Sequence, residues 1–92
     1  MDESQRVATV LGLSGNYAIV QIEGRRYPAL AMQGDSLKIL QGAVEELAGY
    51  IQSRDLAEAA FSVDQIQSTV ASMLSLYEET LRRAGLGLPY VK

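Results

Sequence analysis

The sequence predicts an α+β fold, a three-stranded antiparallel meander followed by two helices in the order β-β-β-α-α. Three observations carry that expectation. Runs of β-branched and aliphatic residues separated by glycine-containing turns fill residues 6–33. From Leu37 onward, apolar residues recur at the three–four spacing of a helix face, and a second such stripe runs through the last third. No internal repeat or low-complexity segment breaks the 92 residues. A chain this short is expected to form one domain, 1–92, that buries somewhat more than ~60% of its unfolded surface, so it needs a well-formed core or a partner.

"VATVLGL" (7–13) and "YAIVQI" (17–22) read as the first two strands, with "SGN" between them as hairpin punctuation. "EGR" (23–25) marks a second tight turn in which Gly24 is free to take positive φ. "RYPALAMQ" (26–33) reads as the third strand, and Pro28, lacking a donor, either places it at an edge or weakens its pairing there. Helix one is expected over 36–53. Its stripe of Leu37, Leu40, Val44, Leu47 and Ile51 is widened by Ile39, Ala43 and Tyr50, an arc broad enough to contact both a sheet and a second helix. Helix two is expected over 63–84, with Ser62 and Gln65 spelling a capping box and Val63, Ile66, Val70, Met73, Leu74, Tyr77 and Leu81 on one face. The same apolar phase reaches back to Leu56, so a longer helix from about Asp55 is the alternative. Arg82 and Arg83 complement the helix dipole, and Gly85 supplies the stop. The tail, 85–92, is too apolar to dangle and is expected to dock, a short fourth strand being one way to do so.

Composition excludes several chemistries. With no cysteine there is neither a disulfide framework nor a thiolate metal site. With no histidine, the commonest metal ligand and the commonest general base are both missing. No cofactor or metal is therefore expected. A net charge of −3 has the wrong sign for a nucleic-acid binder unless the few arginines cluster. The polar start "MDESQR" is no signal peptide and no apolar run reaches the ~20 residues of a membrane span. Cytoplasmic location is the resulting expectation.

Gly34-Asp35-Ser36-Leu37 shares its spelling with the nucleophile block of a large esterase group. A nucleophilic serine needs a base to take its proton, and this chain has no histidine to do so. Lys38 cannot serve, since residues two apart on a helix do not face each other. The block instead reads as a strand-to-helix hinge: Gly34 permits the sharp exit, and either Asp35 or Ser36 caps the helix. The adjacent pairs Glu45-Glu46 and Glu78-Glu79 diverge by about 100° on their helices and share no site. Arg25-Arg26, at a hairpin tip, can grip a phosphate or carboxylate or simply keep the tip soluble. Gly42 and Gly49 are less easily explained, because each weakens a helix interior by ~0.8–1 kcal/mol relative to alanine. They lie seven apart, on the side away from the apolar arc, which leaves two readings: close approach of a partner or a second copy, or simple tolerance of the glycines. Gly42, Gly49, Arg25 and Arg26 are the candidate interface residues.

From Asn16 to about Ile51 the chain resembles the HicB-like family, small bacterial antitoxin domains. Tyr17-Ala18-Ile19-Val20 stands for that family's strand, and Pro28-Ala29, four residues, then Gly34-Asp35-Ser36 follows its helix-opening motif. The chain departs from the pattern at Ala29, at Ile39-Leu40 and at Arg25. The resemblance implies a β-β-β-α-β core and a protein partner, typically a small ribonuclease toxin that is masked. Over more of its length, "NYAIV", "GRRYPALAMQGDSL" and "LYEETLRRAGLGLPY" resemble a family of small bacterial proteins of unknown function. The expectation is a non-catalytic interaction module, antitoxin-like or immunity-like, whose partner is another protein or a second copy in a homodimer. The alternatives are a self-assembling accessory protein and a small-ligand binder.

Overall fold

A computed structural model describes residues 6–92. It has the expected order: β1 (Ala8–Ser14), β2 (Tyr17–Ile22), β3 (Ala29–Met32), α1 (Gly34–Gln52) and α2 (Leu56–Arg83). The three strands form one antiparallel sheet with β2 in the middle. Two compact units result, one made of the sheet with Met73–Lys92, the other of Gln33–Ser72. α2 is one continuous helix that contributes to both.

Glycine chemistry sets both turns of the meander. Gly15 and Asn16 link the paired residues Ser14 and Tyr17, and φ is +56° at Gly15, the sign a type II′ hairpin turn needs at its first central position. The second turn closes when the Arg25 N–H donates to the Ile22 carbonyl at 3.0 Å, with Gly24 at φ +87° in the third position of a type II turn. β3 begins at Ala29 and not at residue 26, because Arg26 and Tyr27 bend and Pro28 has no N–H to give to the ladder.

β1 carries a bulge. Val10 pairs with Val20 and Gly12 with Ile19, so Leu11 has no partner across the ladder. The bulge turns Gly12 onto the same face as Ile19. Against that face pack the last turns of α2. Ile19 and Leu81 are completely buried, Tyr77 is nearly so, and Leu76 and Leu88 close the edges of this small core. The Tyr77 hydroxyl donates to the Pro28 carbonyl at 2.7 Å, so the loop before β3 is tied to the helix. Thr80, also buried, sits directly over Gly12.

Helix two starts at Leu56, the earlier of the two expected positions. Asp55 accepts the Glu58 N–H at 3.2 Å and so caps the helix, and "DLAE" forms one half of a capping box, the Asp55 N–H going to Tyr50 O instead. Ser62 is therefore no cap. It lies in the helix interior and is buried. The buried side follows the apolar stripe read in the sequence only at Tyr77 and Leu81. Ala59, Ser62, Tyr77, Thr80 and Leu81 are buried, whereas Val63, Val70 and Leu74 are each more than a third exposed.

The cap of α1 differs from expectation as well. Gln33 is the N-cap, in extended conformation and without a side-chain cap bond, and Asp35 and Ser36 are already inside the helix. The helix starts early because Gly34 adopts it, and the Leu37 N–H donates to the Gln33 carbonyl at 3.1 Å. Asp35 instead accepts the Ser36 N–H at 2.8 Å and places its charge in the first turn, where the dipole favours it. No residue of α1 is fully buried, and about half of the broad apolar arc, Leu37, Ile39, Val44 and Ile51, remains open.

α1 ends in a Schellman motif. The Asp55 N–H donates to Tyr50 O at 2.9 Å and the Arg54 N–H to Ile51 O at 3.1 Å, with Arg54 at φ +59°. That left-handed position is the one glycine favours, and a residue with a Cβ is strained there by about 1 kcal/mol or more. Arg54→Gly is expected to stabilise the protein by about 1 kcal/mol, read as a higher urea midpoint with unchanged slope. α2 ends the same way with Gly85 at φ +72°, where the Leu86 N–H donates to Leu81 O at 2.9 Å.

The tail after that stop is not a fourth strand. Gly87 and Pro89 disfavour a ladder, and the segment docks through side chains. Leu88 packs against the core and the Tyr90 ring stacks on Tyr77 at 6.3 Å between centroids. The Tyr90 hydroxyl donates to Glu78 at 3.0 Å. Burial pushes the hydroxyl pKa of Tyr77 upward, and Tyr27 adds to the effect. Desolvation, then the Glu78 carboxylate, pushes up that of Tyr90. Unfolded tyrosines ionise first, near pH 10, so the folded state binds more protons above that pH. Stability is expected to hold below about pH 10 and to fall as pH rises through the folded tyrosine values, and Tyr90→Phe should weaken that fall in alkaline denaturation curves.

Candidate functional site

The outer face of the sheet follows from register alone. Ile19 points at the helix, so Ala18, Val20 and Ile22 point the other way, and their partners directly across the ladders share that face. Val20 lies between Val10 and Ala29. Ala18 lies between Leu13 and Ala31, and Ile22 faces Ala8. Every side chain in these rows is apolar. An antiparallel sheet with one face on its core ordinarily turns polar residues outward. Here Val10 is 60% exposed and Leu13 is 74% exposed.

The bulge makes this face continuous. In a regular strand Val10 and Leu13 would point to opposite sides, and the extra residue at Leu11 brings them to the same one. Sequence reasoning missed the surface because alternation is counted without bulges. The available signal was Gly12, a strand-interior glycine that marks a bulge or a close backbone approach.

The other candidate residues do not assemble with it. Arg25 and Arg26 are exposed in the loop before β3, where the Arg26 guanidinium lies 5.2 Å from the centre of the Tyr27 ring. The Arg25 carbonyl accepts the Gln21 side-chain amide at 2.8 Å. Gly34, Asp35 and Ser36 form the first turn of α1, and Gly34 with Leu37, Lys38 and Gln41 borders a shallow open concavity. No cluster of metal-ligating side chains occurs among the described residues. Nor is any helix among them long and apolar enough to cross a membrane.

The two adjacent glutamates of α2 diverge, as their helical spacing requires. Glu78 takes Tyr90 and an ion pair with Lys92 at 3.3 Å. Glu79 takes both guanidinium groups that follow, Arg82 at 2.6 Å and Arg83 at 3.0 Å. The Arg82 hydrogen bonds chiefly hold the Glu79 pKa down to about 2. The pair is exposed and supports the helix end.

A Cβ built on Gly42 or Gly49 meets nothing within 4 Å. Alanine therefore fits at both positions in this chain. Gly42→Ala with Gly49→Ala is expected to stabilise the protein by up to about 2 kcal/mol, measured by urea unfolding. Unchanged sedimentation of that variant would remove both glycines from any interface, and loss of an assembly would place them in one.

No curated protein and no solved structure matches the chain. A family of unknown function, DUF6959, matches residues 3–90, nearly the whole chain, and the chain belongs to that family.

Proposed function

We propose that the protein is a non-catalytic protein–protein interaction module, antitoxin-like or immunity-like, that masks a partner with the outer face of its sheet. The continuous apolar face across all three strands carries this reading, since an exposed patch of that kind marks interaction sites on soluble proteins. The HicB-like resemblance supports a protein partner. Absent histidine and cysteine support a role without catalysis, a cofactor or a metal, and the acidic balance favours a basic partner over nucleic acid. Such a module acts in the cytoplasm.

The test uses the protein encoded beside its gene, expressed alone and together with this chain. Growth arrest by the neighbour, relieved by co-expression, is the expected result. Leu13→Glu should abolish relief while leaving the urea midpoint unchanged, because the side chain is exposed. Relief that survives Leu13→Glu and Val10→Glu together would exclude the sheet face. A self-assembling accessory role is the second reading, and the open stripes of the helices favour it.

A further inference from the structure

We infer that the helical unit is a self-association surface on which a second copy of this chain packs, helix against helix, along a seven-residue repeat. This surface is separate from the sheet face and does not depend on what that face binds.

The repeat is present on both helices. In α1, Leu37, Val44 and Ile51 recur every seven residues, with Leu40 and Leu47 three places after the first two. In α2, Leu56, Val63 and Val70 recur in the same way, followed at three residues by Ala59, Ile66 and Met73. That is the a/d pattern of helices that pack knobs into holes. The two halves of the pattern differ in exposure. Ala59 is buried and Leu40, Leu47, Ile66 and Met73 are partly buried, whereas the other six side chains range from 37% to 77% exposed. Half of each seam is therefore open.

Area and charge both point to a second copy as the occupant. The six open side chains, three on each helix, together present on the order of 600 Å² of surface, against the about 800 Å² per partner that a stable interface buries, so both helices must contribute to the contact. The helical unit buries only Ala59 and Ser62, too little for a segment of this size to hold itself together. Positions flanking the seam decide whether like chains repel, and here they are uncharged: Gln41 and Ala48 in α1, Ala60 and Gln67 in α2. The charges of α1, Asp35, Lys38, Glu45 and Glu46, lie outside the seam and its flanks. An acidic chain can thus pair with itself without opposing carboxylates. Gly42 and Gly49 fall on the side opposite the seam, so the inferred contact does not use them.

Sedimentation of the full chain tests the inference. The expected species is a dimer of twice the 10.0 kDa chain mass that dissociates on dilution. Val44→Glu should raise the dissociation constant at least about 100-fold, since twofold symmetry buries the new carboxylate twice. Should that variant lose its helical circular dichroism, cross-linking decides instead, and the cysteine-free chain makes it clean. Val44→Cys mixed with Val63→Cys should form disulfide-linked dimers on mild oxidation, and Glu46→Cys should not. A monomer at every concentration overturns the inference. So does a dimer indifferent to Val44→Glu but dissociated by Leu13→Glu, or equal cross-linking at Val44 and Glu46.

Discussion

Leu81→Ala should lower the unfolding free energy by about 3 kcal/mol, within the 2–5 kcal/mol range for truncating a fully buried leucine. Leu81 is completely buried and meets Ile19 and Tyr77 in the core of the sheet unit. That core is small, so few side chains are available to collapse into the space left behind. The cost combines lost transfer energy with the cavity. Stability of a chain this size is about 5–14 kcal/mol, so the variant should remain folded but melt about 12–24 °C lower. Val91→Ala, at a side chain that is 98% exposed, is the control and should stay within about 0.5 kcal/mol of the parent. Equal melting of the two variants would mean that the sheet does not pack on α2 through Leu81.

Gly12→Ala should cost about 2–3 kcal/mol by overpacking, an effect opposite in sign to the alanine substitutions in α1. A Cβ at Gly12 would lie 2.5 Å from the Thr80 hydroxyl and 2.9 Å from its methyl group. Thr80 is buried and β-branched, so its side chain cannot swing aside. Relief requires the helix to lift from the sheet, which loosens Tyr77 and Leu81 with it. Thr80→Ala in the same chain should recover much of the loss but not all, because the Thr80 Cβ itself would be only 3.3 Å away. The double-mutant cycle in urea measures that coupling, and additive costs would show that the two sites do not meet.

Much of the architecture is legible in the sequence, because the meander rests on local signals. Gly15 and Gly24 adopt the positive φ their turns need, and the strand runs are short and β-branched. Helix starts were harder to read. Two boxes compete in one stretch, Asp55 with Glu58 and Ser62 with Gln65, and the first wins because α1 stops just before it. The cap of α1 was misplaced for a similar reason: Asp35 and Ser36 favour caps by type, yet Gly34 extends the helix past them. The apolar stripe of α2 supplies Tyr77 and Leu81 to the core, but packing, not hydropathy, decides the rest of its buried face. Thr80 and Ser62 are polar residues that end up buried, the former because Gly12 leaves room for it. The outer sheet surface needed the bulge, which depends on pairing between distant residues and cannot be counted along one strand.

Asp55 closes the end of α1 through its backbone N–H and opens α2 through its carboxylate. Neither helix end can then fray without releasing the other, so the corner behaves as a single hinge pin and not as two loose termini. In amide hydrogen exchange, the protons of Arg54, Asp55 and Glu58 should open together with one shared protection factor. Asp55→Ala removes only the carboxylate and keeps the N–H that bonds Tyr50 O, so Glu58 should lose protection first and Arg54 and Asp55 should follow it through the shared corner.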